Sequence, residues 1–315
     1  MNTDHPVTRR ESLKKLLHIS GGLAMSGLMT WPAISPLSAR AASKKKGFVV
    51  EGIGRKEGYS VKELTKKVFE AAGGIKRFVS KGDIVAIKPN VSWAMPPHLA
   101  ATTNPEVLEA VIELCQAAGA KKVRIADHTI HDARRCFAIT GAGEVAKKTG
   151  ADLVYPRSSL MKEMKLQGNR LDVWPVFTPL VEADKVINLP VAKHHQLSVL
   201  TLGMKNWIGA VGGSRWSLHQ DINESIVDLA RFFKPAVTLI DAVRILTKNG
   251  PSGGSASDVA VKNTLILSDD PVAADARAAL LFDRDPQTLY FIHLAQKRGL
   301  GTSDFKKLEQ NQVTL

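Results

Sequence analysis

Hydrophobic positions between residues 48 and 301 fall into two alternating rhythms. Short segments rich in apolar and β-branched residues at 48–53, 83–89, 122–126, 151–155, 185–190, 236–241 and 261–267 read as strands, those at 83–89 and 236–241 as buried ones. Segments with apolar residues at three- and four-residue spacing lie between them and read as helices. One begins at Ser60, with Glu63 placed for a reciprocal cap, and ends at Gly73-Gly74. A second begins at Asn104-Pro105-Glu106 and ends at Gly119; Val107, Leu108, Val111, Ile112, Leu114 and Cys115 form its apolar face. Further helices are expected near 134–149 and 219–233, from Asp270-Pro271 onward, and over 287–297. Strand and helix alternating in this way predict an α/β fold: a mostly parallel sheet with helices on both faces, in three layers. Residues 157–184 break the rhythm and read as an irregular insertion or cap.

The first 41 residues follow neither rhythm. Thr8-Arg9-Arg10-Glu11-Ser12-Leu13-Lys14 is a twin-arginine pattern, with Ser12 where a bulky apolar residue is usual. A mildly apolar stretch over 16–34 and the small-x-small triplet Ala39-Arg40-Ala41 complete a signal peptide. A retained anchor or an amphipathic N-terminal helix is the competing reading. The expected organisation is a signal over 1–41 and one α/β domain over 42–315, as a single body or two closely packed lobes. The expected location is the periplasm, reached through the twin-arginine export machinery. No later segment is apolar for long enough to span a bilayer. This route carries folded cargo, which fits a chain that receives a cofactor before export.

The full chain of 315 residues has a formal net charge of +13. Without residues 1–41 it loses five basic and two acidic side chains and stands at +10. That balance points to an acidic ligand. Nucleic acid is excluded as a partner by export, by the few aromatics, and by the absence of basic-aromatic interleaving. The two cysteines, Cys115 and Cys136, are too few for an iron–sulfur cluster and form no Cys-x-x-Cys pair. Cys115 falls on an apolar helix face, as a buried thiol would.

Candidate chemistry concentrates in 193–219. This stretch holds His194, His195, His219, Lys193, Lys205 and Arg215, the pair Gly212-Gly213, and no acidic residue until past His219. Ligands bind outside the carboxyl ends of parallel strands. Lys88 and Asn90, Asp127 and His128, Lys193 to His195, and Asp241 are each expected at such an end, and Thr102-Thr103 precede a helix start suited to an anion. Each has an ordinary reading too: Lys88 and Asn90 can close a turn, Lys205 can snorkel, His219 can sit at a helix start, and Asp241 and Asp270 can cap.

The chain resembles the domain-of-unknown-function 362 family. The resemblance rests on Ile87-Lys88-Pro89-Asn90, Thr102-Thr103-Asn104-Pro105-Glu106, Lys193-His194, Thr201-Leu202-Gly203-Met204-Lys205-Asn206, His219, and Asp269-Asp270-Pro271-Val272-Ala273-Ala274-Asp275. Many members carry an added cluster-binding domain whose cysteines are missing here. A more distant similarity is to the nickel-pincer lactate racemases, in the order and spacing of His128, His195, Lys205 and His219. That similarity implies His128 and His195, or His194 in place of His195, as proton carriers. It implies Lys205 as the cofactor anchor and His219 as a metal ligand, with nickel or an organometallic group as the cofactor. Lys88, Asn90, Lys193, Asn206 and Asp275 are expected to help bind the cofactor. The Ser-Gly-Gly run expected before the lysine is missing. Two functions follow as expectations: a metal- or cofactor-dependent racemase or epimerase acting on a small carboxylate, or a non-catalytic periplasmic carrier that binds an anion or serves cofactor assembly for a redox partner.

Overall fold

A computed structural model describes residues 47–55 and 57–315. The expected signal segment lies outside the described residues. Twelve strands and eight α-helices are assigned among those described. One large sheet has the order β12-β1-β11-β10-β7-β2-β3-β4. Its strands are β1 (Phe48–Ile53), β2 (Ile84–Pro89), β3 (Lys122–Ala126), β4 (Asp152–Val154), β7 (Lys185–Leu189), β10 (Val237–Leu246), β11 (Val259–Ser268) and β12 (Glu309–Thr314). The run from β10 through β4 is parallel, as is β12 on β1; β11 runs antiparallel to both of its neighbours. The expected α/β class therefore holds, with a mixed edge.

Helices cover both faces. Helices α1 (Val61–Ala71), α2 (Pro105–Ala117), α3 (Ala133–Ile139) and α4 (Ala142–Thr149) follow the first strands. Side chains from α1, α2 and α4, such as Val68, Phe69, Leu108, Val111 and Val145, share one core with Val85, Ile87, Ile125, Ile187 and Leu239 of the sheet. Caps fix the starts of these helices: Ser60 Oγ accepts from Glu63 N, and Asn104 Oδ1 accepts from Glu106 N, with Pro105 at the first turn. Gly119, at φ 86°, takes the left-handed turn that closes α2. On the opposite face α7 (Pro271–Ala279) packs on β10 and β11. Helices α5 (Arg215–Gln220), α6 (Ile222–Phe233) and α8 (Tyr290–Lys297) complete that side; Phe233 of α6 stacks on Trp207 at 4.7 Å.

Several expectations need correction. Residues 161–177 are not irregular: Met161–Lys165 (β5) and Val173–Phe177 (β6) form an antiparallel hairpin. The helix expected over 134–149 is two short helices, parted at Gly141, which takes φ 80°. The helix expected over 219–233 is likewise two, because Asp221 leaves helical backbone to cap α6. The last helix starts at Tyr290, behind a turn at Pro286–Thr288. Lys193-His194-His195 does not follow a strand but lies in one: Pro190 ends β7, and the chain resumes as β8 (Val191–His195), paired with β9 (Val199–Thr201). Asp241 sits inside β10 rather than at its end, just before a register shift between Ala242 and Arg244. The first part of β10 pairs with β7 and the rest with β8. Both cysteines are buried and unbridged, as a structural thiol would be. No helix among the described residues is long and apolar enough to cross a membrane.

Candidate functional site

Strands β7, β2 and β3 are parallel neighbours, so their carboxyl ends form one rim. Lys88 comes one residue before the end of β2, and Asp127 directly follows β3. Lys88 Nζ meets Asp127 Oδ1 at 2.6 Å, with both side chains fully buried. The ammonium also donates to Pro89 O and to Asn206 Oδ1, each at 3.0 Å. Asp127 Oδ2 accepts from Val91 N at 2.9 Å. Asn206 Nδ2 donates to Lys88 O and to Asn188 Oδ1, and Asn90 Nδ2 donates to Asn206 Oδ1. Of the two expected cofactor amides, Asn206 holds Lys88 directly, and Asn90 ties Asn206 to Lys193. Burial pushes the Lys88 ammonium below its ordinary pKa, and Asp127 opposes that push.

The β8–β9 hairpin supplies a second group. Lys193 and His195 share one face of β8, and His194 takes the other. Lys193 Nζ donates to Ala101 O at 2.5 Å and Asn90 Oδ1 at 3.4 Å. Its register partner across the hairpin is Thr201. The buried polar atoms Thr201 Oγ1, Thr102 Oγ1 and Asn104 Nδ2 have no protein partner. The first faces Lys193 across the hairpin, and the other two lie one and three residues after Ala101, whose carbonyl holds that lysine. His194 Nδ1 accepts from Gly250 N at 3.2 Å and is committed to the loop after β10. His195, not His194, reaches the cluster: its ring stacks on that of His219 with centroids 5.8 Å apart.

Lys205 opens the 3-10 turn Lys205–Ala210. Asp275 of α7 sets its position, because its two carboxylate oxygens accept from Gly203 N at 2.7 Å and Met204 N at 3.0 Å. Asp275 was expected to bind a cofactor; both of its oxygens are instead occupied by backbone. Lys205 is 7% exposed, and no carboxylate of the described residues lies within ion-pair distance. Burial, and next the charge of Lys88, bring it down to about 7. Lys193 too is lowered well below its ordinary value, by burial first and by Lys205 next.

Hydrogen-bond partners fix the imidazole tautomers. His128 Nδ1 contacts Val211 O and His219 Nδ1 contacts Arg215 O, both at 2.7 Å. A carbonyl can only accept, so Nδ1 carries the proton in each, and Nε2 presents a lone pair. His195 is the reverse: its Nδ1 accepts from Leu197 N and Ser198 N, which leaves the proton on Nε2. All three are held neutral. Burial and then Lys205 push His195 down to about 2. Burial and then Arg215 lower His128. Burial lowers His219 most, against the bond to Arg215 O.

Arg215 links His128 to His219: its guanidinium donates to His128 O, its carbonyl accepts from His219 Nδ1, and both Arg215 and Lys205 act on His219. The sequence reading placed Arg215 in the acid-free stretch without giving it a role. Asp127 is the acid that acts on the cluster of Lys88, Lys193 and Arg215. Among the described residues no three His, Cys, Asp or Glu gather as a metal cage; His219 and His128 each offer an Nε2 lone pair. Two shallow hollows, of about 290 and 280 Å³, lie beside α1 and share no residue with this cluster.

Residues 85–279 match the family described as Domain of unknown function (DUF362). A thylakoid-associated protein of Synechocystis sp. is 28% identical over 244 residues, which cover 75% of this chain and 74% of that protein. The lactate racemase apoprotein from Thermoanaerobacterium thermosaccharolyticum superposes with a TM-score of 0.44 at 13% identity. That superposition covers 75% of this chain and only 57% of the racemase chain.

Proposed function

Because the chain belongs to the DUF362 family, whose description carries no activity, its function has to come from the site, and we propose an exported periplasmic enzyme acting on a small carboxylate. The reaction is a racemase- or epimerase-like transfer of a proton or hydride at the carbon beside that carboxylate. The observation that carries this reading is charge. Lys88, Lys193 and Arg215 gather around one rim with Asp127 as their acid, and Lys205 joins them with no acid of its own among the described residues. Buried cations without partners are costly, and an anionic ligand relieves that cost. The unpaired hydroxyls of Thr102 and Thr201 add donors beside Lys193.

The imidazoles supply the proton chemistry. His195 presents an N–H, and His128 and His219 present lone pairs. A donor and an acceptor on one rim can deliver a proton and remove one. Lys205, an amine without an acidic partner and poised near neutrality, suits the anchoring of an organic cofactor. His219 Nε2 suits a metal whose remaining ligands come with that cofactor, since the protein groups do not form a cage for a bare ion. When bound, such a group would supply a hydride acceptor, and the protein would bind, orient and protonate.

Elemental analysis and intact mass spectrometry of the protein purified from the periplasm test this reading, together with stereochemical assay on 2-hydroxy acids. A stoichiometric metal or chromophore that disappears in Lys205→Ala and His219→Ala supports it. Colourless, metal-free wild-type protein that binds an anion and inverts no stereocentre would make it a carrier instead.

A further inference from the structure

Arg215 is the first residue of α5, behind the capping Ser214. Its side chain is half-buried, and among the described residues the guanidinium's one hydrogen bond runs from Nη2 to the carbonyl of His128. Among the described residues no carboxylate lies within ion-pair distance of it. Asp127 is the acid nearest in effect, but that carboxylate is already engaged by Lys88 Nζ at 2.6 Å and Val91 N at 2.9 Å. Among the described residues Nη1 and Nε have no acceptor. Lys205, also without an acid among the described residues, acts on His219 as Arg215 does. The His219 ring, held at Nδ1 by the Arg215 carbonyl, keeps a lone pair on Nε2, and His195 stacks against that same ring.

We propose that Arg215 is the fork that takes the substrate's carboxylate and selects planar carboxylates over neutral and tetrahedral ligands. This rests on the anionic-substrate reading above and assigns the group that recognises the anion. A planar guanidinium matches a carboxylate through two parallel N–H bonds, whereas an ammonium meets it as a point charge. A carboxylate held there places its neighbouring carbon beside His219 and His195. Arg215 also holds a proton carrier and the expected metal ligand: its side chain donates to the His128 carbonyl, and its own carbonyl accepts from His219 Nδ1. Replacing the side chain leaves the backbone contact to His219 in place, so recognition can be tested apart from that orientation.

The test is isothermal titration of the full-length protein with lactate, its neutral isostere lactamide, and inorganic phosphate. Wild type is expected to bind lactate and to bind lactamide and phosphate more weakly. Arg215→Ala is expected to weaken lactate binding about 10- to 100-fold, the range for a charge-assisted pair, and to leave lactamide binding unchanged. Arg215→Lys keeps the charge but loses the fork, and should stay at least about tenfold weaker than wild type. If Arg215→Ala does not fold, Arg215→Lys alone decides. Full lactate affinity in Arg215→Lys, with loss in Lys205→Ala, overturns the fork and leaves the anionic site standing. Wild type that takes phosphate and refuses lactate also overturns it. Wild type that binds neither ends the anionic-substrate reading and this inference with it.

Discussion

The α-carbon of Gly209 faces the Asp127 carboxylate so closely that a Cβ at that position would stand 2.3 Å from Asp127 Oδ1 and 2.7 Å from Lys88 Nζ. The backbone thus closes over the buried ion pair, and the same residue's carbonyl accepts from His128 N at 2.7 Å. Gly209→Ala should push the pair apart or lift the 3-10 turn that carries Lys205. The expected loss is about 3 kcal/mol, from overpacking plus the cost of separating a buried pair. Urea denaturation checks it, with an unchanged slope and a lower midpoint as the expected signature. A variant as stable as wild type would mean that the turn is not seated on the pair.

The His195–His219 stack joins two opposite tautomers. Nitrogen-15 NMR of the imidazoles should show the proton on Nδ1 for His128 and His219 and on Nε2 for His195. His195 should stay a neutral ring well into acid, since burial brings it down to about 2, and His128 and His219 should take up a proton only below the ordinary imidazole value, because burial lowers both. An Nδ1-protonated His195 would remove the proposed proton donor.

What the sequence disclosed, and what it hid, follows from the range of the signals. Apolar runs and caps act locally, so the strands that frame the rim and the starts at Ser60, Asn104 and Asp270 were readable. The rule that ligands gather at strand ends pointed to Lys88 and His128. Asp275 was legible as a buried acid, but its partners, the N–H groups of Gly203 and Met204, lie about seventy positions away in the chain. Pairing at that distance leaves no periodic trace. The hairpins β5–β6 and β8–β9 are short and partly polar, and such segments look like loops. Arg215, at a helix start, has the sequence context of a solvated cation; only the folded chain shows that no acid accompanies it.

The Asp275 clamp gives a direct test of how Lys205 is positioned. Asp275→Asn keeps the shape but offers one acceptor where two N–H groups point, and turns an NH2 toward a donor. The expected cost is about 1–3 kcal/mol, the penalty for a buried group left unpaired. Because Lys205 follows Met204 directly, anion affinity should fall along with stability. Measuring both separates the readings: a stability loss with unchanged affinity would show that the clamp serves the fold alone.

Stability should also carry the imprint of these buried charges in its pH dependence. Lys205 falls from 10.5 unfolded to about 7 folded, so between those values the unfolded chain binds more protons and stability rises with pH. Lys193 acts in the same direction. Asp241 and Asp275 are raised from 3.8 to about 6 and about 7, chiefly by burial; their contribution is full below pH 4 and is lost as pH climbs through those values. Above pH 9 the buried thiols Cys136 and Cys115, pushed up to about 11 and about 12, again reduce stability as pH rises. A minimum near pH 7 follows, with a rising limb over pH 7–9 of up to about 1.4 kcal/mol per unit for Lys205. Lys205→Met should flatten that limb and raise stability most at or below pH 7. A bound anion restores the proton to Lys205, so affinity should fall as pH rises above 7, and binding at pH 8 should take up protons. Titration in buffers of different ionisation enthalpy measures that uptake. Binding that neither weakens with pH nor takes up a proton would place the anion away from Lys205.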